Sequence, residues 1–276
     1  MNRLTKTLVG AVASLVALPV SAAVVISYPD FSSVAGLTIN GDAAQVGNVL
    51  RVTPATFSQA GSAFSTNKVS LASNASFSTY FQFRFTQAGG CDGLGCGADG
   101  LVFVVQTLSN NVGGLGGGIG YAGILNSVGI EFDTWNNGSV DSFSSNHVGI
   151  NVNGSIASLA LAEVTEADMN NGNVWNAWID YDGATNLLEV RLTQSATRPA
   201  AALVSLTRDL AADLGALEAF VGFTSGTGAA FANHDVLSWV LEDRFAPIGQ
   251  VPVPGTLALL GAALAGLGWG RRRRLS

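Results

Sequence analysis

Residues 128–153 read VGIEFDTWNNGSVDSFSSNHVGINVN, and the rest of the chain is best read outward from them. Val128 to Trp135 and Val148 to Val152 have the pattern of two strands joined by a polar loop rich in Asn, Ser and Gly. Along a strand, side chains at i and i+2 share a face, so Glu131, Asp133 and Trp135 point one way and Ile130, Phe132 and Thr134 the other. Two carboxylates on one face of an apolar strand repel each other and are costly to bury bare, and a cation between them is the natural remedy. The loop adds Asn137 and Asp141, oxygen donors suited to a hard cation such as calcium, while His147 supplies a nitrogen suited to a transition metal. The same residues also compose an acidic turn with a surface histidine, and composition alone leaves both readings open.

The stretch resembles the metal-binding segment of the legume-type (L-type) lectins, whose pattern is Val-x-Val-Glu-Phe-Asp-Thr-aromatic, then Asn, Asp and a His-x-Gly-Ile/Val strand. The resemblance implies that Glu131, Asp133, Asp141 and His147 hold a transition metal, usually manganese. It assigns Ca2+ to Asp133, the Trp135 backbone carbonyl, Asn137 and Asp141. The interval from Asn137 to Asp141 is one residue shorter than in the plant members, and that from Asp141 to His147 correspondingly longer, so Asp141 departs most from the pattern.

Both ends carry sorting signals. Arg3 and Lys6 precede an apolar run from Leu8 to Val20, and Val20-Ser21-Ala22 has the small residues of a cleavage site; a signal peptide over 1–22 is expected. A Val-Pro-x-Pro motif at 251–254 opens an apolar run to Trp269, followed by Arg271 to Arg274. This layout resembles the PEP-CTERM sorting signal, with Val253 where the family usually has Glu, and implies handling by an exosortase-type protease. The boundaries expected are a domain over 23–245, a linker over 246–254 and a hydrophobic helix with basic tail over 255–276, long enough to sit in the inner membrane until processed. A permanent single-span anchor is the competing reading. The implied location is the cell surface or extracellular matrix of a Gram-negative-type bacterium.

Without these ends, seven Lys and Arg face all nineteen Asp and Glu, a balance of about −12. Such acidity argues against nucleic acid and anionic lipid as partners and is compatible with cations and neutral glycans. The chain of 276 residues is 48% hydrophobic and only 12% charged, with 34 glycines, which suits an all-β domain with many turns. Cys91 and Cys96, spaced by four residues in an exported chain, are expected to pair as a local disulfide.

Further strands are expected at 79–85, 100–106, 175–181, 187–192, 219–223 and 236–241, with a hairpin turn over Asp182 to Asn186 and weak helical periodicity between Thr207 and Leu217. The architecture is two packed antiparallel sheets. The L-type resemblance runs through these strands in order, at Trp178 to Val190, Val221 to Gly228 and His234 to Trp239, and implies a concanavalin A-like, legume lectin-like jelly-roll sandwich. In that family a sugar binds beside the calcium. Ala98-Asp99-Gly100 matches the Ala-Asp-Gly whose Asp accepts from the sugar through a cis peptide, and Gly117 or Gly118 matches the backbone donor. Asn137 would donate its amide to the sugar, and Ala229 and Ala230 fall in the specificity loop, offering only backbone groups. Trp135 and Phe143 are the candidate aromatic platforms, and His234 reads as structural.

Two rivals remain. A glycoside hydrolase on the same sandwich needs two carboxylates, and Glu131 and Asp133 begin such a pattern, but Trp135 and Asn136 stand where the second Glu should fall. A matrix protein that keeps the fold without sugar affinity is the other. The expected function is non-catalytic recognition of glycan or exopolysaccharide. Neither the sugar nor the oligomeric state follows from sequence, and a homo-oligomer is compatible with it.

Overall fold

The computed structural model describes residues 24–249 except 72, 92–94 and 115. The signal peptide and the terminal apolar helix expected from sequence lie outside the described residues. Among the described residues no helix is long and apolar enough to cross a membrane.

Among the described residues, sixteen strands and one short α-helix follow in chain order. The first strands are β1 (Val24–Tyr28), β2 (Leu37–Gly41), β3 (Ala44–Val46), β4 (Val49–Thr53), β5 (Ala60–Ser65) and β6 (Val69–Ser70). Next come β7 (Phe77–Gly89), β8 (Gly100–Gln106), β9 (Ser127–Asp133), β10 (His147–Val152) and β11 (Ala160–Glu163). The chain continues with β12 (Trp175–Asp182), β13 (Leu187–Thr193), β14 (Val204–Thr207), α1 (Leu210–Leu214), β15 (Glu218–Gly226) and β16 (Phe231–Glu242). One antiparallel sheet runs β14-β13-β12-β7-β16-β4-β3, with β1 also on β16; the other runs β11-β10-β9-β8-β15-β5-β2, with β6 also on β15. We call them the back and front sheets.

Alternation explains their packing. Phe77, Phe81, Phe83 and Phe85 of β7 face the core between the sheets, where Phe81 meets Phe103, Phe132 and Phe223 at centroid distances of 5.0 to 6.0 Å. Each such ring removed from water contributes roughly 1.5–3 kcal/mol. Trp239 is buried among them, and its indole N–H donates to Thr79 Oγ1 at 3.0 Å, so its one polar group is satisfied. The run GLVFVVQ in β8 is apolar without a break because the front sheet is covered on both faces here. Leu101, Phe103 and Val105 enter the main core, while Val102 and Val104 pack under Ile119, Tyr121 and Ile124 from the glycine-rich loop.

The outer face of the back sheet is also covered. Trp178 alternates outward from Ala177 and Ile179, yet it is fully buried, packed on Tyr80 and donating from Nε1 to the Gly249 carbonyl at 3.2 Å. Arg198 donates to the Ile248 carbonyl and to Asp180 Oδ2, and the Ala246 amide to Ser78 Oγ. The segment after β16 therefore lies strapped across this face.

Candidate functional site

Strand register assembles the site. His147 pairs with Asp133, Asp133 with Gly100 and Gly100 with Gly226, so one cross-strand row at an end of the front sheet links β10, β9, β8 and β15. The loops that leave this row carry Asp99, Asn137, Asp141 and Gly228. Residues distant in sequence meet because four strands stop in line.

Asp133, Asp141 and His147 each bring a ligand atom within 4.8 Å of the others, and all three are buried. Asp133 Oδ1 accepts from the Trp135 amide at 2.7 Å, and Asp141 Oδ2 accepts from the Asn137 amide. Burial drives the Asp133 carboxyl well above its ordinary range, and the neighbouring Glu131 charge adds to this; burial likewise raises Asp141. Neither ring nitrogen of His147 has a hydrogen-bond partner, although the ring is fully buried. Its Nε2 lies 3.5 Å from Glu131 Oε1. An imidazole nitrogen left bare beside crowded carboxylates is a poor arrangement for a protein alone and a good one for a divalent cation. The donor set present therefore fits a metal ion.

Glu131 stands one step inward. Its Oε2 accepts from Asn151 Nδ2 at 2.6 Å and its Oε1 from Ser158 Oγ at 2.5 Å. Gly149 lies opposite Glu131 in the ladder, and a Cβ there would come 2.2 Å from Glu131 Oε1 and 2.1 Å from Ser158 Oγ. Asn151 and Ser158 were not found from sequence. Their one visible signal was Gly149, a residue without side chain facing a buried carboxylate.

The second half of the site surrounds Asp99. The Ala98–Asp99 peptide is cis, as the resemblance implied. The Asp99 amide donates to the Gly226 carbonyl at 3.1 Å, and the Asp99 carbonyl accepts from the Thr134 amide at 2.9 Å, so its backbone is tied to both neighbours of β8. Its side chain is 4% exposed, Oδ2 has no partner, and burial pushes its carboxyl up to about 7. A Cβ on Gly228 would lie 3.8 Å from this Oδ2 and 3.9 Å from Gly116 Cα, and a Cβ on Gly117 would lie 2.8 Å from Asn137 Nδ2. Asp99, Gly117, Asn137 and Gly228 are thus brought to one place. Gly118 instead crowds Ala122 of its own loop.

Of the specificity-loop pair, Ala229 is exposed while Ala230 is buried and packs on Gly90. Trp135 is half-buried and Phe143 is 71% exposed. Cys91 and Cys96 form the expected disulfide, with sulfurs 1.97 Å apart, just before the Asp99 turn. His234 is fully buried, its Nδ1 2.7 Å from Thr53 Oγ1, and desolvation lowers its pKa to about 3. It takes no part in the site.

The chain is similar in sequence and fold to known proteins. The legume lectin domain model matches residues 24–250 and the PEP-CTERM protein-sorting motif residues 250–274. L-type lectin-domain containing receptor kinase VIII.1 of Arabidopsis thaliana is 33% identical over 205 residues, 72% of this chain and 27% of that protein. Receptor kinase VIII.2 of the same plant is 32% identical over 63% of this chain and 24% of its own length, so the chain spans about a quarter of these relatives. Among solved structures, the lectin from Bauhinia forficata in complex with GalNAc superposes with a TM-score of 0.68 at 25% identity, covering 80% of this chain and 98% of that one. Lectin I-B4 from Griffonia simplicifolia, in a metal-free form, gives 0.65 at 28% identity over 78% and 97%. By fold and by sequence, the chain belongs to the legume lectin family and carries a PEP-CTERM sorting motif at its C terminus.

Proposed function

We propose that this lectin-like protein is exported and binds glycan or exopolysaccharide non-catalytically at the loops around Asp99, with calcium and a transition metal such as manganese holding those loops in place. The observation that carries the reading is the unpartnered, buried Asp99 Oδ2 beside Gly228, one row from a His147 imidazole without a hydrogen-bond partner. His147, Asp133, Asp141 and Glu131 would hold the transition metal; Asp133, Asp141, Asn137 and the Trp135 carbonyl would hold calcium. The cations supply positive charge that lets the crowded carboxylates stay ionised. Asp99 then accepts from two sugar hydroxyls, Asn137 Nδ2 and the Gly117 amide donate, and Ala229 leaves the approach open. Trp135 offers a ring for the apolar face of the sugar.

Export follows from the expected signal peptide, and attachment or release from processing of the sorting motif by an exosortase-type protease. GalNAc and galactose are the first probes, since similar solved lectins carry those sugars. The purified protein should bind glycans on an array in calcium, lose the signal after chelation and regain it when calcium and manganese return. No glycan signal in saturating calcium and manganese would sink the reading and leave a structural matrix protein in its place.

A further inference from the structure

The loop joining β4 to β5 has no role in the site described above, yet it is stitched to the turn at 227–228. Ser58 N donates to the Gly228 carbonyl at 3.1 Å, Gln59 N to Thr227 Oγ1 at 2.8 Å, Thr227 N to the Gln59 carbonyl at 2.9 Å, and Thr227 Oγ1 to the Thr56 carbonyl at 2.7 Å. These bonds hold the loop against the residue that borders Asp99. Phe57, one position before Ser58, is 60% exposed, and its ring meets that of Phe231 edge to face at 4.8 Å. Phe231 in turn lies over Gly89, where a Cβ would stand 2.5 Å from the ring. Phe231 is seated on the end of β7, and Phe57 is braced on Phe231.

Leu108 and Leu125 are also exposed, but they flank the Gln106–Ser127 end of the β8–β9 ladder, opposite the Gly100–Asp133 end that carries the site. A phenyl ring kept in water beside a polar pocket gains free energy only when something apolar covers it. The apolar occupant that suits this place is the C–H face of a pyranose, which packs on aromatic rings while its hydroxyls stay in water. Phe57 is one residue and one hydrogen bond away from Gly228, the residue that borders Asp99 Oδ2. That is where a second sugar of a chain would lie.

We propose that Phe57, braced by Phe231, forms a second sugar subsite, so that the protein reads glycans of two or more residues in preference to a single terminal sugar; this rests on the lectin reading above. The test compares a monosaccharide with oligosaccharides ending in the same sugar, beginning with GalNAc and galactose, by array and titration calorimetry in calcium and manganese. The native protein should favour the longer glycans by about fivefold to tenfold. Phe57→Ala should erase that preference and leave monosaccharide affinity unchanged, and Phe57→Trp should keep it. Asp99→Asn should abolish both. No length preference in the native protein, or an equal loss on both lengths in Phe57→Ala, overturns the subsite and leaves the lectin reading standing. No glycan binding by the native protein overturns both. Because Phe57 is largely exposed, the melting temperature of Phe57→Ala should match that of the native protein, which separates lost contact from lost folding.

Discussion

The chain has two histidines, and each stands beside a buried aspartate under opposite conditions. In the back sheet, Asp235 receives the Arg51 guanidinium as a fork, at 2.7 and 2.9 Å, and His234 pairs with Thr53 and packs edge-on against Phe85. In the front sheet, His147 and Asp133 sit side by side across the ladder, with no hydrogen-bond partner for the imidazole and further carboxylates around the aspartate. Both pairs are equally buried. Burial by itself therefore does not mark a site; burial without internal counter-charge does. In one pair an arginine supplies the counter-charge, and in the other, among the described residues, no Lys or Arg pairs with the aspartate.

The sharpest way to break this contrast is to neutralise each aspartate in turn. Asp133→Asn should weaken metal binding by about 100-fold or more and remove glycan binding with it, whereas Asp235→Asn should leave metal affinity within about twofold, as read by calorimetry with calcium and manganese. Equal losses in the two variants would mean the distinction is mistaken.

Stability should sort them in the reverse sense. Asp235→Ala leaves Arg51 without its partner and should cost about 3 kcal/mol in urea denaturation, with chelator or without. In chelator Asp133→Asn should stabilise the fold by about 1 kcal/mol, because a crowded buried carboxylate is gone. A destabilised Asp133→Asn under those conditions would show that Asp133 has a folding role of its own.

A smaller effect is expected from acid. The folded pKa of His234, about 3, lies below its ordinary value of 6.5, so protons bind the unfolded chain first. This contribution to stability is complete above pH 6.5 and is lost as pH falls from there toward 3, amounting to about 2 kcal/mol at pH 5. His234→Asn, which keeps a nitrogen near the position of Nδ1, should flatten the stability profile by that amount between pH 7 and 5. An unchanged slope would count against a buried neutral imidazole.

The smallest change belongs to the residues that hold Glu131. Ser158→Ala should lower manganese affinity about tenfold while leaving calcium affinity nearly intact. Losing both equally would place Glu131 outside the transition-metal position.

Much of this was legible in the sequence because β7, β9, β10, β12 and β13 alternate, β8 is a continuous apolar run, and none of them is an edge strand, so burial is written into their side chains. The candidate metal ligands were legible because one strand, one loop and one strand supply them all. The strands β1 to β6, β11 and β14 escaped notice. AGSAFS in β5 and ALAE in β11 are short and built of small residues, and β5 is buried by what lies above and below it, with little signal of its own. The periodicity between Thr207 and Leu217 condensed to five residues, opened by the Asp209 side chain on the Ala212 amide and closed by Gly215 in the left-handed region. Asn151 and Ser158 reach Glu131 only through the β9–β10 register and the return of the chain, which no local pattern encodes. The convergence of Asp99, Gly117 and Gly228 is likewise a property of strand ends meeting in line.

The strap over the back sheet has a mechanical consequence. Gly249 is held by Trp178, and the sorting motif begins at residue 250. A pull on the segment before it meets the contacts of Trp178 in β12, Ser78 in β7 and Arg198 in the β13–β14 loop, all on the side of the sheet that does not bear the site. The row of Asp99, Asp133 and His147 lies on the other sheet, away from these contacts.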